Sequence, residues 1–212
     1  MWVPQLPQRL GWDHNAHYHP WVLRQLPARP VRALDVGCGA GLLTCELSAR
    51  AQHVDAVDPS AVMLARACRR SASTVNVTFV EGDVLDPGLP LSNDGYDAIV
   101  AVSSLHHMSL EPALDRLADL LQPGGVLAVV GHYRAATASD LALELVRLPA
   151  NAAVGAALAL RGRAGEPNGD DMPVLAPATT LAEVRAVVRK RLPGARLRRA
   201  LFWRYLLTWR RR

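Results

Sequence analysis

The stretch "ALDVGCGAGLLTCELSARAQHVDAVD", residues 33–58, decides the fold. An apolar run enters a glycine-rich turn, continues into a helical pattern, and returns as a second apolar run ending in aspartate. A turn of this kind opens a helix whose first N–H groups lack intrahelical partners, and glycine lets a ligand approach the backbone closely. The dinucleotide fingerprint is G-x-G-x-x-G, with the pyrophosphate on the helix N-terminus. Here the glycines stand at Gly37, Gly39 and Gly41, and Leu42 falls where the third fingerprint glycine belongs. Asp35 lies two residues before the first glycine. A carboxylate there repels a pyrophosphate and attracts an ammonium or sulfonium group, so the turn is expected to face a cationic ligand rather than a nicotinamide dinucleotide.

Around that unit, "VRALDVG", "HVDAVD", "NVTFVEGD", "YDAIVAV" and "GVLAVVGHY" read as strands buried on both faces. "AGLLTCELSARA", "SAVMLARACRRS" and "EPALDRLADLLQ" carry apolar residues three or four apart and read as the helices between them. Ser60 is placed to cap the second helix, Pro112 lies in the first turn of the third, and "QPGG" at 122–125 is expected to stop it. The alternation predicts an α/β fold with parallel strands joined by crossover helices.

Further along, "TTLAEVRAVVRKRLPG" reads as a helix and "ARLRRALFWRYLLTWRR" as two antiparallel strands around "ALFW". The intervening residues 134–180 are expected to hold apolar helices and then a glycine-, proline- and acid-rich loop or lid from 162. With 212 residues, half of them hydrophobic, a single domain is expected over 1–212. It divides into an N-terminal lid over 1–30, a ligand-binding core over 31–133 and an acceptor-side region over 134–212.

The three cysteines, Cys38, Cys45 and Cys68, have no zinc-like spacing and suggest a reducing setting. No signal-peptide-like core opens the chain, and the most apolar later stretch contains Glu144, Arg147, Pro149 and Asn151, so a cytoplasmic protein with no membrane span is expected. The formal charge of +5 rests almost wholly on arginine, Lys190 being the sole lysine, and is densest near the C-terminus. Solvated strand faces and a tail account for it; a grip on nucleic acid is the alternative.

Successive strand ends supply the rest of a ligand crevice. Asp58, 17 residues after Gly41, is placed to accept ribose hydroxyls. Asp83 offers an acceptor to an exocyclic amine, Val84 an apolar edge to a base, and Met63 a second face. Together they describe a site for one adenosine-like ligand. The segments "LDVGCGAG", "VDAVDPS", "EGDVLD", "YDAIVAVSSLHHM" and "LLQPGGVLAV" resemble those of class I S-adenosylmethionine-dependent methyltransferases of the small-molecule type, over residues 31–133.

That resemblance implies a Rossmann-like, doubly wound, mostly parallel seven-stranded sheet with an antiparallel C-terminal strand. It implies S-adenosylmethionine as cofactor, with S-adenosylhomocysteine as product, and a small-molecule methyl acceptor as partner. Asp35, Gly37 and Gly39 are then expected around the methionine end, Asp58 on the ribose, Met63 against adenine and Asp83 on its amino group. The end of the fourth strand, Ala101 to Ser103, is expected to meet the methionine portion through its backbone, and Tyr18 of the lid to reach the cofactor carboxylate.

His106 and His107 follow the fourth strand, next to the expected sulfonium, and are candidate general bases for an oxygen acceptor. Adjacent residues point in different directions, so only one is expected to face the site; the alternative is that one packs structurally and the other merely shapes the site. His14, His17 and His19 could instead serve from the lid; their spacing makes a poor metal cluster and no metal is expected. No G-x-S-x-G, G-K-[ST] or H-E-x-x-H motif occurs, and "SSLHH" stands where amino-methylating nucleic-acid enzymes carry Asn/Asp-Pro-Pro-aromatic. The expected activity is methyl transfer to oxygen or nitrogen of a small organic acceptor. The alternatives are an RNA-modifying methyltransferase using the arginine-rich C-terminus and a non-catalytic S-adenosylmethionine-binding protein.

Overall fold

The computed structural model describes residues 15–137, 140, 176–201 and 203–212. Seven strands are formed: β1 (Arg32–Val36), β2 (His53–Asp58), β3 (Val77–Glu81), β4 (Tyr96–Val102), β5 (Leu121–His132), β6 (Arg196–Ala200) and β7 (Arg204–Arg210). The helices are α1 (His19–Gln25), α2 (Leu42–Ser48), α3 (Ala61–Arg70), α4 (Leu110–Leu120) and α5 (Leu181–Arg191), with single 3₁₀ turns at Ala16–Tyr18 and Leu105–His107. His14 and residues 141–175, with the expected apolar helices and most of the 162–180 loop, lie outside the described residues.

The strands form one sheet in the order β3-β2-β1-β4-β5-β7-β6. β1 through β5 run parallel, β7 is antiparallel to β5, and β6 is antiparallel to β7. This is the expected seven-stranded α/β architecture, with the antiparallel element supplied by the C-terminal strand pair. Chain direction across the sheet reverses between β1 and β4, and the crevice beyond their carboxyl ends is where open α/β sheets bind ligands.

The period-2 alternation of the central strands separates two cores. Leu34, Val36, Ile99, Ala101, Leu127 and Val129 face α4 and α5, meeting Leu114, Leu117, Val184 and Val188. Ala33, Ala98, Val100, Ala128 and Val130 face the other way, meeting Val22 of α1 and Leu43 and Leu47 of α2. The second face carries the smaller side chains, which lets the helix behind the glycine turn sit close to the sheet.

Local signals act as read. The Ser60 hydroxyl accepts from the Met63 N–H at 3.3 Å. Thr180 and Glu183 form a reciprocal capping box at the start of α5. At "QPGG" the helix stops and the chain turns into the fifth strand, as expected, but the segment lies within that strand rather than before it. α4 ends at Leu120 and β5 begins at once, with Leu121 opposite Tyr96 and Val126 opposite Ala98. Gln122–Gly125 thus form an irregularity within the strand, where Gly124 has a φ of 82° and its N–H donates to the Arg211 carbonyl.

Several C-terminal arginines have internal partners. Arg211 donates to the carbonyls of Ala118 at 3.1 Å and Asp119 at 2.9 Å, and to that of Leu121, at the C-terminal end of α4. Arg210 donates to the Gly124 carbonyl, and Arg199 to the Tyr133 hydroxyl and to Asp140. Arg199 and Arg211 are thus partly buried and engaged, while Arg210 is exposed and solvated as expected.

Candidate active site

The glycine turn is held by the strand next to it. Gly37 N–H and Cys38 N–H both donate to the Val57 carbonyl, at 2.8 and 3.0 Å. The buried Asp58 carboxylate accepts from Gly39 N–H through one oxygen and Ser60 N–H through the other, each at 2.9 Å. Asp58 therefore ties the end of β2 to the turn after β1 while its remaining lone pairs border the crevice. Gly37 has a φ of 69°, and a Cβ there would lie 2.4 Å from the Ser104 Cβ, so side-chain-free backbone is required at that point. Gly41, with a φ of 77°, lies 2.8 Å from Ala67 Cβ by the same construction. In the dinucleotide fingerprint the third glycine serves helix–strand packing; here Gly41 lets α2 pack against α3.

Asp35 is 2 % exposed and accepts a hydrogen bond from the Thr44 hydroxyl at 2.7 Å. Burial pushes its pKa up to about 6, with Asp58 adding to the rise, while the Thr44 bond and nearby His19 oppose it. A carboxylate in this position gains from a bound cation. The Cys38 thiol is driven far up by burial and by the charges of Asp35 and Asp58, so it lines the crevice as a neutral group.

A cavity of about 420 Å³ opens above these groups. Asp35, Gly37, Gly39, Asp58 and Met63, from the carboxyl ends of β1 and β2 and the turns and helix that follow them, line it together with Ser103, His106, His107, His132 and Arg204, from the segment after β4 and the facing ends of β5 and β7. Ser104, whose hydroxyl donates to the Val36 carbonyl at 2.6 Å, joins the two groups. The structure thus brings eight of the expected site residues to one cavity: Asp35, Gly37, Gly39, Asp58, Met63, Ser103, His106 and His107. Both histidines line it, where only one was expected to, because the 3₁₀ turn Leu105–His107 sets their rings side by side.

The other four do not line it. Tyr18 is buried and donates its hydroxyl to the Leu201 carbonyl at 3.0 Å, because a buried phenol takes the nearest acceptor, here in the turn between β6 and β7. Its ring lies under the Arg204 guanidinium at 5.7 Å and does not line the cavity. Asp83 is exposed and accepts from Leu85 N–H at 2.9 Å, closing its own turn. Val84 and Ala101 are core side chains. Ala101 was expected to act through its backbone, so its buried methyl leaves that expectation untouched.

The histidine group has an internal logic. Ser103 sits in the left-handed region at a φ of 56°. Its hydroxyl donates to Asn15 Oδ1 at 2.7 Å, so its oxygen accepts from His132 Nε2 at 3.1 Å. Arg204 also donates to Asn15 Oδ1, at 2.9 Å. The His132 ring stacks on His106 at 4.7 Å, and His107 lies 4.0 Å from His106. Burial, reinforced by His107 and Arg204, holds His106 down at about 4, so it is uncharged at neutral pH, with Nδ1 buried and unpartnered.

Asn15, His132 and Arg204 were not singled out from sequence. His132 had a signal, a polar residue ending a long apolar run; Arg204 had none among so many arginines. His19, weighed as a lid residue, is buried and lines the cavity near Asp35. Among the described residues no cluster of His, Cys, Asp or Glu is arranged for a metal, and no helix is long and apolar enough to cross a membrane.

The chain is similar to known proteins. A family profile described as a methyltransferase domain matches residues 33–125. The uncharacterized methyltransferase Rv0089 of Mycobacterium tuberculosis is 38 % identical over 200 residues, covering 94 % of this chain and 96 % of that one. A ubiquinone biosynthesis O-methyltransferase of Xylella fastidiosa is 32 % identical over 150 residues, 67 % of this chain and 58 % of that protein. Among solved structures, the N-methyltransferase NodS of Bradyrhizobium japonicum, in complex with S-adenosylhomocysteine, superposes with a TM-score of 0.63 at 17 % identity, covering 99 % of this chain and 93 % of that one; at that identity the likeness speaks for the fold alone. With near-full-length similarity added to a glycine turn flanked by acids that suit a cationic ligand, the chain belongs to the class I S-adenosylmethionine-dependent methyltransferases.

Proposed function

We propose that this methyltransferase transfers the methyl group to oxygen or nitrogen of a small organic acceptor that enters beside the histidine group of the cavity wall. The observation that carries the reading is that one cavity is lined both by the acidic residues and glycines at the ends of β1 and β2 and by a histidine group from the ends of β4 and β5. Asp35, Gly37, Gly39, Asp58 and Met63 hold S-adenosylmethionine, whose activated methyl group supplies the chemistry. Asp58, fixed by two N–H donors, is oriented toward ribose hydroxyls, and Asp35 offsets positive charge.

The histidine group orients the acceptor in line with that methyl and excludes water. His106, uncharged at neutral pH, is available to take a proton from a hydroxyl as the new bond forms. Its low basicity suits proton transfer concerted with bond formation rather than prior deprotonation. The similarity to an O-methyltransferase of ubiquinone biosynthesis supports oxygen as the acceptor atom. The internal engagement of Arg199 and Arg211 speaks against a C-terminal grip on RNA.

The test is incubation with methyl-labelled S-adenosylmethionine and separate panels of phenols, aliphatic alcohols, amines and bulk RNA. Label in a small phenol, alcohol or amine is expected, lost or slowed in His106→Ala or His107→Ala if the acceptor is a hydroxyl. Label in RNA alone, with binding that weakens steeply with salt, would sink the small-molecule reading.

A further inference from the structure

A histidine that takes a proton has to present one ring nitrogen in a fixed direction, and such rings are ordinarily held by a hydrogen bond on the other nitrogen. His106 has no bond of that kind: its Nδ1 is buried and makes none. What touches its ring is other rings. His107 lies at 4.0 Å, tilted by 44°, and His132 at 4.7 Å, nearly parallel at 12°. His107 is exposed and ends a single 3₁₀ turn, whereas His132 ends β5, a long strand paired with β4 on one side and β7 on the other. The rigid neighbour is therefore His132.

The His132 ring is itself held, and counting hydrogens shows how. Arg204 has donors only, so the Asn15 atom that it meets at 2.9 Å is the amide oxygen. The Ser103 hydroxyl meets that same oxygen at 2.7 Å and spends its one hydrogen there. Ser103 can then only accept from His132 Nε2, 3.1 Å away, so Nε2 carries a hydrogen whatever the charge of the ring. The backbone at Ser103 is fixed as well, its N–H donating to the Val130 carbonyl at 2.7 Å. Its φ of 56° is one that a residue other than glycine keeps only where the surroundings over-determine it. Asn15, Ser103, His106, His132 and Arg204 all line the cavity.

We propose that His132 is the positioning residue for His106: the chain from Arg204 through Asn15 and Ser103 locks the His132 ring, and the flat face of that ring fixes the direction in which His106 meets an acceptor hydroxyl. The assignment deepens the oxygen-acceptor reading and rests on it. A stacked face restrains the tilt of a ring without occupying either of its nitrogens, so the base is aimed while its lone pair stays unspent.

The experiment is NMR of protein with isotope-labelled histidine, for wild type, His132→Phe, His132→Leu and Ser103→Ala, with a thermal unfolding midpoint for each; it needs no acceptor. Wild type should show a His132 Nε2 proton protected from water and His106 ring hydrogens displaced upfield by the neighbouring ring. His132→Leu should lose that displacement and His132→Phe should regain most of it. Ser103→Ala should open the Nε2 proton to exchange and reduce the displacement. If His132→Leu does not fold, Ser103→Ala carries the comparison with the native ring in place. His106 signals that respond to neither substitution would overturn the assignment. Turnover is followed with the phenols and alcohols of the labelling panel. His132→Leu should lower kcat roughly 10-fold or more with KM within about 3-fold, and His132→Phe should restore part of the loss. Equal losses in the two, or a change in KM alone, would also overturn it. His106→Ala that transfers methyl at the wild-type rate, or wild type that labels no hydroxyl, would instead strike the oxygen-acceptor reading, and this one with it.

Discussion

The two groups of residues that line the cavity are assembled in opposite ways. The acidic and glycine group comes from neighbouring stretches of chain: Gly39 meets Asp58 across 19 positions, and Asp35 meets Thr44 across 9. The histidine group is gathered from remote ones, with Ser103 and Asn15 separated by 88 positions and Arg204 and Asn15 by 189. A site built from consecutive β–α units depends on local turn geometry, whereas one built from distant segments depends on completion of the sheet. Mutations should therefore act on the two groups separately.

The largest effect is expected at the turn. Gly37→Ala combines a left-handed φ with a Cβ 2.4 Å from that of Ser104, and should cost about 2–5 kcal/mol of stability and abolish measurable cofactor binding. Gly124→Ala, equally left-handed but with open space around the added methyl, should cost only about 1–2 kcal/mol in urea denaturation. Similar losses for the two would mean that the close approach of the turn to Ser104 is not what demands glycine.

Asp35 separates stability from binding. Its pKa of about 6 lies above the ordinary 3.8, so the cofactor-free protein is favoured by this group at low pH and loses that contribution as pH rises through about 6. At neutral pH, Asp35→Asn, which keeps an acceptor for Thr44, should stabilise the free protein by about 1–3 kcal/mol while weakening S-adenosylmethionine by a similar ~1–3 kcal/mol. Wild-type affinity should fall as pH drops below about 6, with a flat profile in the variant. A pH-independent wild type would remove Asp35 from the site.

Smaller effects lie away from the cofactor. Arg211→Ala removes donors from three carbonyls at the end of α4 and should lower stability by about 1–2 kcal/mol in denaturant titration, with Arg212→Ala close to neutral as its control. The smallest change is expected for His106→Ala. S-adenosylmethionine affinity should stay within about 2-fold, since this residue belongs to the other group; a larger loss would show the two groups to be one energetic unit.

The same contrast explains what could be read from sequence. Strand period and helix caps are local properties and formed as read, and the local spacing of Asp35, Gly37, Gly39 and Asp58 brings the four to one cavity. "QPGG" went into a strand irregularity because the carbonyls and N–H groups of that segment pair with Arg210 and Arg211, more than 80 positions away. Tyr18 turned to Leu201 for a comparable reason, across 183 positions. Arg204 and His132 gain their meaning only when β5 and β7 lie side by side, which no spacing in the sequence announces.

The position of β7, later than β6 in the chain yet between β5 and β6 in the sheet, has a consequence for how the molecule matures. β6 can join only through β7, and Arg204 reaches Asn15 only after that insertion. Closing so long a loop carries its full entropic cost before any contact offsets it. Refolding is thus expected to form the part of the cavity built by β1 and β2 first and the part that needs Arg204 and Asn15 afterwards. In pulsed hydrogen exchange the amides of Gly37 and Gly39 should become protected before those of Tyr205 and Leu206; simultaneous protection would mean that the two halves condense together.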